Sequence, residues 1–134
     1  MRRSKQSRAV DEVIAHFEAE DRAVVYLGKF PPQVALATAL SVELSLATSW
    51  EDEQSEMMRR DDPREVYRIT DDKLQSVKAA FAAIPANVRP DDNAEQYIID
   101  LLADFPLDRA WLVAHKIASW AAFYARIEQM HLAS

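Results

Sequence analysis

Apolar residues recur at helical intervals along most of this chain. In residues 9–27 they are spaced three, one, three, seven and three apart, which suits one face of an α-helix; they are Val10, Val13, Ile14, Phe17, Val24 and Leu27. Ser7 is a suitable N-cap, and Gly28 stands where a helix is expected to end. The charged run 20–22 interrupts the apolar face. Residues 20–28 therefore either continue the first helix past a bend or form a separate short element.

Two longer segments are apolar on more than one side. Residues 33–50 contain a single charged side chain, Glu43, and continue into charged turns, so the pattern predicts a mostly buried helix at 31–59. A second long helix is predicted at 107–131. It combines a face of large apolar side chains with a face of alanines, and its polar wedge consists of His115, Ser119 and Arg126. A surface helix of a monomer normally has one apolar stripe.

Acidic pairs precede the remaining helical patterns. Acids at these positions accept hydrogen bonds from free amides and interact favourably with the helix dipole, so we interpret the pairs as caps. A calcium loop would place a glycine among its acids, and none is present there. The capped segments are a short turn at 62–69, a helix opened by Thr70-Asp71-Asp72 and ended by Pro85, and a helix opened by the capping box Asp92-Asn93-Ala94-Glu95. The sequence thus predicts an all-α, single-domain bundle of five or six helices, of which 31–59 and 107–131 are the longest.

Composition removes most of the usual catalytic machinery. The chain has one glycine, no cysteine and 22 alanines. Phosphate-binding loops, dinucleotide-binding turns and nucleophile elbows need glycines, and thiolate chemistry needs cysteine. We therefore expect no enzyme, no catalytic residues, no cofactor and no metal site.

Charge is distributed unevenly along the sequence. The first eight residues contain four basic side chains, and the remainder has 12 basic and 22 acidic ones. We expect residues 1–8 to form a flexible basic arm before a domain at 9–134, with Arg2, Arg3, Lys5 and Arg8 as anion-binding candidates. No signal-like apolar run follows the arm, and polar residues within 33–50 argue against a membrane span. A cytoplasmic location is expected.

Glu43 is the first residue of chemical interest. It falls in the middle of an apolar helical face, where a carboxylate is unfavourable unless it is paired or protonated. One hypothesis makes Glu43 a functional buried acid. The other gives it a structural ion pair or hydrogen bond with an Arg, Lys, Tyr or His from a neighbouring helix.

The last helix supplies the functional hypothesis. Its large apolar face exceeds what a core of this size needs, so residues 111–130 should pack either at the bundle centre or across a two-fold axis. The candidate partner-binding residues are Trp111, Trp120, Phe123, Tyr124, Ile127 and Met130. We expect a non-enzymatic protein–protein interaction module, such as an inhibitor, an immunity or antitoxin-like protein, or an adaptor. Its partner is either a basic or nucleic-acid-handling protein or a second copy in a homodimer. The alternative is a small nucleic-acid-associated subunit that uses the basic arm, which the acidic body disfavours.

Overall fold

The computed structural model describes residues 5–59 and 71–133, which are helical apart from short connections and contain no strand. The helices are α1 (Lys5–Leu27), α2 (Pro32–Arg59), α3 (Asp71–Ala82), α4 (Asp92–Leu102) and α5 (Leu107–Ala133). The predicted all-α bundle is confirmed, and the two longest helices lie where the apolar pattern placed them. The turn predicted at 62–69 lies outside the described residues.

Helix α1 is one continuous element from Lys5 to Leu27. Its inward side consists of Ala19, Ala23 and Leu27, which follow one another at four-residue intervals and are almost fully buried. The charged run 20–22 lies between these positions and does not interrupt the buried face. Residues 20–28 therefore do not begin a separate element. Ser7 lies inside the helix, so the predicted cap at Ser7 was wrong.

The start of α4 is one residue earlier than the capping box indicates. Asp91, not Asp92, is the N-cap, with extended backbone at φ −84° and ψ 119°. The Asp91 carboxylate accepts from the Ala94 amide at 2.9 Å, and the Asp91 amide donates to Thr38 Oγ1 at 3.0 Å. Glu95 accepts a bond from Ser41 on α2 at 3.0 Å. Bonds to α2 thus fix which of two adjacent acids caps the helix.

Helices α2 and α5 form the central antiparallel pair. Their direction follows from two levels of contact, Glu43 with His115 and Ala47 with Trp111. Helix α1 packs on α5 and α4, and α4 closes the bundle against α2. Tyr26 of α1 stacks on Tyr97 of α4 with ring centroids 4.3 Å apart. Helix α3 lies outside this four-helix arrangement, where it contacts α2 and lines a cleft together with α2 and α5.

Small residues dominate the interior. Alanine occupies many of the buried positions, namely Ala19, Ala23, Ala35, Ala37, Ala39, Ala47, Ala94, Ala110, Ala114, Ala118, Ala121 and Ala125. Small side chains allow helix axes to approach toward the lower end of the usual range of about 8–10 Å. The interior therefore combines many alanines with larger buried side chains such as Trp111, Ile98 and Ile117.

Candidate interaction surface and buried carboxylate

Helix α1 has two apolar faces, of which the one with small side chains is buried and the one with large side chains is exposed. Val10 precedes Ala19 by nine residues, and Ile14 precedes Ala23 by the same interval. Nine residues are two and a half helical turns of about 3.6 residues each, so such pairs point in opposite directions. The alanines are buried, whereas Val10 and Ile14 are 56% and 49% exposed. Of the apolar face predicted for this helix, only Leu27 is fully buried, because the alanine side packs more closely against α4 and α5.

Helix α5 repeats this arrangement. Ala114 and Ala118 are buried, and nine residues later Phe123 and Ile127 are 61% and 40% exposed. Met130, 67% exposed, stands in the same relation to buried Ala121. Both helices thus expose several large apolar side chains opposite buried alanines, although Leu27 of α1 and Trp111 and Ile117 of α5 are buried. We call Val10, Val13, Ile14 and Phe17 the α1 stripe, and Phe123, Ile127 and Met130 the α5 stripe.

A groove of about 380 Å³ separates α1 from the first half of α5. Val13, Phe17 and Leu112 line its apolar part. Lys116 Nζ lies 5.5 Å from the centroid of the Phe17 ring, a cation–π distance. At one end of the groove Arg109 forms a 2.6 Å ion pair with Glu12. The α1 stripe therefore borders the first half of α5. The contacts of Glu12 with Arg109 and of Phe17 with Lys116 show that α1 and α5 run parallel here, so the α5 stripe begins about two helical turns beyond Lys116.

The two stripes have flanking charges of opposite sign. Glu18 and Asp21 are exposed and follow Ile14 and Phe17 by four residues, so they continue the α1 stripe on the same face. Lys116 and Arg126 are exposed on α5, where Arg126 precedes Met130 by four residues and Lys116 precedes Phe123 by seven, about two helical turns. On its own helix the α1 stripe is thus continued by two acids, with Arg22 one turn beyond Glu18, and the α5 stripe is flanked by two bases, of which Lys116 also reaches Phe17.

The predicted partner-binding residues separate into three groups. Phe123, Ile127 and Met130 are exposed, whereas Trp120 and Tyr124 are half-buried and stacked with centroids 5.2 Å apart. Trp111 is 1% exposed and packs with Ala47 and Leu74, so its placement on a partner-binding face was wrong. Its position on α5 turns it toward α2 and α3, the most densely packed side of the bundle.

The predicted basic arm overlaps α1. Helix α1 begins at Lys5, so Lys5 and Arg8 belong to helical backbone. Arg2 and Arg3 lie outside the described residues.

Glu43 is buried beneath α5 and paired with a histidine. It is 2% exposed, and its Oε1 lies 2.7 Å from His115 Nδ1. A proton is shared across this contact: either Nδ1–H donates to the carboxylate, or the protonated carboxyl donates to Nδ1. Burial raises the pKa of the Glu43 carboxyl, and the hydrogen bond and charge of His115 partly oppose that rise. The contact joins the two central helices across their interface.

A cleft of about 370 Å³ opens beside this pair, between α2, α3 and α5. The imidazole of His115 is stacked on Trp111 with centroids 5.2 Å apart. Lys73 Nζ lies 5.7 Å from the centroid of the Trp111 ring. His115 is thus held by a hydrogen bond at one nitrogen and by an aromatic face. The sequence placed His115 on the polar wedge of α5. Only the packing of α5 on α2 shows that this histidine is the partner of Glu43.

Sequence reasoning missed the exposure of the α1 stripe. Its spacing is that of a core face, and the competing signal was the Ala19–Ala23–Leu27 repeat on the opposite side. His16, beside the groove, was also absent from the predicted site. Burial, followed by the charge of Lys116, lowers the pKa of His16. A neutral imidazole is therefore favoured next to the exposed apolar side chains.

Comparisons of the chain with protein-family models, with curated proteins and with solved structures gave no match. Among the helices of the described residues, none has the length and apolar character needed to cross a bilayer.

Proposed function

We propose that this chain is a non-enzymatic protein-interaction module, of the inhibitor or adaptor kind, that binds a protein helix on the outer side of α1 and α5. The observation that supports this proposal is the outward position of seven large apolar side chains on two helices whose alanines are packed inside. Contiguous exposed apolar patches on folded proteins mark interaction sites. Aromatic residues and methionine are enriched in protein interfaces, and Phe17, Phe123 and Met130 are of these types.

The chemistry of the surface defines the partner. An amphipathic helix fits best, because large apolar residues at three- and four-residue spacing would lie against a stripe. Its flanking charges would be opposite in sign to those beside that stripe. A lipid surface fits less well, because anionic headgroups would attract Lys116 and Arg126 beside the α5 stripe but repel Glu18 and Asp21 beside the α1 stripe. The proposed partner is therefore a helical protein segment.

Capture by tagged variants tests the proposal. Tagged wild type, Phe17→Ser, Phe123→Ser and Ala122→Ser would each be co-expressed with an untagged copy in the native host and purified. Ala122 is exposed on α5 outside the stripe and is the matched control. We expect the wild type and Ala122→Ser to retain a stoichiometric protein, either a host protein or the untagged copy, and the two stripe variants to lose it while keeping their helical circular dichroism.

Two results would overturn the proposal. One is retention of the same protein by both stripe variants, which would place binding elsewhere on the molecule. The other is co-sedimentation of the wild type, but not of Phe123→Ser, with phosphatidylcholine–phosphatidylglycerol vesicles in the absence of any bound protein. That result would make the stripe a lipid contact.

A further inference from the structure

We infer that the partner on this surface is a second copy of the chain, joined by a two-fold axis that places the α1 stripe of each copy on the α5 stripe of the other. The inference rests on the proposed function and names its partner. A two-fold axis is the commonest symmetry among soluble oligomers. Under that symmetry the α1 stripe of the first copy contacts the α5 stripe of the second, and the same contact forms again with the two copies exchanged.

The lengths of the two stripes match. Val10 to Phe17 and Phe123 to Met130 each span seven residue steps, which is about 10.5 Å at 1.5 Å per residue. The side chains of each stripe recur at intervals of three and four residues, with Val13 and Ile14 adjacent. Two such rows interdigitate when helices pack ridge into groove. Each stripe is therefore the kind of helix face that the other one fits.

The borders of the stripes are complementary in charge. Glu18 and Asp21 continue the α1 stripe, and Lys116 and Arg126 accompany the α5 stripe. Pairing unlike stripes brings acids opposite bases at both contacts. Pairing like stripes would bring acids opposite acids and bases opposite bases, which is unfavourable. Charge therefore selects the crossed arrangement over the like-with-like one.

The exposed area of the two stripes approaches that of a standard stable interface. The seven stripe side chains are between 40% and 67% exposed, and side chains of this size offer on the order of 100 Å² each in that state. Complete burial of the stripes would thus cover at most roughly 700 Å² per copy, slightly below the about 800 Å² per partner of a standard stable interface. The neighbouring groove, which the partly exposed Leu112 lines, adds to this area.

Charge reversal on each stripe provides the test. The acid-reversed variant is Glu18→Lys with Asp21→Lys, and the base-reversed variant is Lys116→Glu with Arg126→Glu. All four positions are exposed, so both variants should fold. In sedimentation velocity at micromolar concentration we expect the wild type to dimerise and each variant alone to bind itself at least about tenfold more weakly, because like charges then face one another at both contacts.

Mixing the two variants is the decisive measurement. In a crossed heterodimer the lysines of one variant face the glutamates of the other, and the native acids face the native bases. Association of the 1:1 mixture should therefore return to within about threefold of the wild type. Variants that dimerise as strongly as the wild type on their own, or a mixture that associates no better than its components, would overturn the crossed arrangement.

A monomeric wild type would overturn the second-copy inference but would not decide the proposed function. In that case the capture experiment separates the two. A host protein retained by the wild type and lost by Phe123→Ser would leave the interaction module standing with a different partner. Loss of both the dimer and the captured protein would remove the two proposals together.

Discussion

Helix α5 makes two very different contacts with its neighbours. On the α2 side, Trp111, Ala114 and Ala121 are buried, and the Glu43–His115 hydrogen bond joins the helices. On the α1 side a groove of about 380 Å³ separates the two helices, and large apolar side chains of both helices remain exposed. The difference shows that side-chain size did not decide which face became the interior. On α1 and in the second half of α5, the face that packs within the chain is the one built mainly of alanine.

The largest expected effect comes from removing Trp111, the largest fully buried side chain among the described residues. Trp111→Ala should lower the free energy of unfolding by about 3–5 kcal/mol, because a fully buried indole leaves a cavity that the helices cannot close. Denaturant unfolding followed by circular dichroism measures this loss. Trp120→Ala, at a half-buried position on the same helix, is the control and should cost clearly less. Equal losses would mean that the two faces of α5 are packed alike.

Enlarging a buried alanine tests the close approach itself. Ala121→Leu should destabilise the fold by about 1–3 kcal/mol, since extra methylenes in a packed helix interface force the backbones apart. Ala122→Leu adds the same atoms at the next, exposed position and should change stability by no more than about 0.5 kcal/mol. The comparison uses thermal or urea unfolding of both variants. A tolerated leucine at position 121 would contradict the view that alanine faces hold the bundle.

The Glu43–His115 contact predicts a pH dependence. The pKa of Glu43 is raised above its ordinary value of 4.5, mainly by burial, so the folded state holds the proton more tightly than the unfolded state. Its contribution to stability is complete below pH 4.5 and decreases as the pH rises through the folded-state pKa. Glu43→Gln has no such decrease. Its stability relative to the wild type should therefore increase with pH above 4.5, in urea titrations at a series of pH values.

Removing His115 sharpens this measurement. In a His115→Ala background the hydrogen bond and charge that lower the pKa of Glu43 are lost. Two variants are then compared: His115→Ala alone, and His115→Ala combined with Glu43→Gln. The pH-dependent difference in stability between them should be larger than the difference between the wild type and Glu43→Gln. If Glu43→Gln alone instead became less stable than the wild type as the pH rises, the attraction between charged Glu43 and His115 would outweigh the effect of burial on the pKa of Glu43.

The smallest effect on stability is expected on the outer face. Phe123→Ser removes a side chain that is 61% exposed and should change the free energy of unfolding of the monomer by no more than about 0.5 kcal/mol. The measurement is urea unfolding at protein concentrations below those of self-association. A loss as large as that of Trp111→Ala would show that this ring belongs to the core.

Part of the candidate surface could be read from the sequence and part could not. The surplus of apolar side chains on α5 was visible as two apolar faces, and Phe123, Ile127 and Met130 were among the residues selected. Trp111 was selected for the same reason, although it is turned toward α2 and α3. The α1 stripe was not selected, because its spacing is indistinguishable from that of a core face when the helix is considered alone.

The sequence by itself determined the helices and most of their ends. Apolar spacing, proline near the start of α2, glycine after α1 and acids before α4 act within a few residues, so they can be interpreted without the fold. Only the tertiary structure decided which of two apolar faces turns inward, whether Asp91 or Asp92 caps α4, and that His115 is the partner of Glu43. Each of these depends on surfaces separated by many residues along the chain. The free energy of a helix face is set by what packs against it, and that partner is absent from the local pattern.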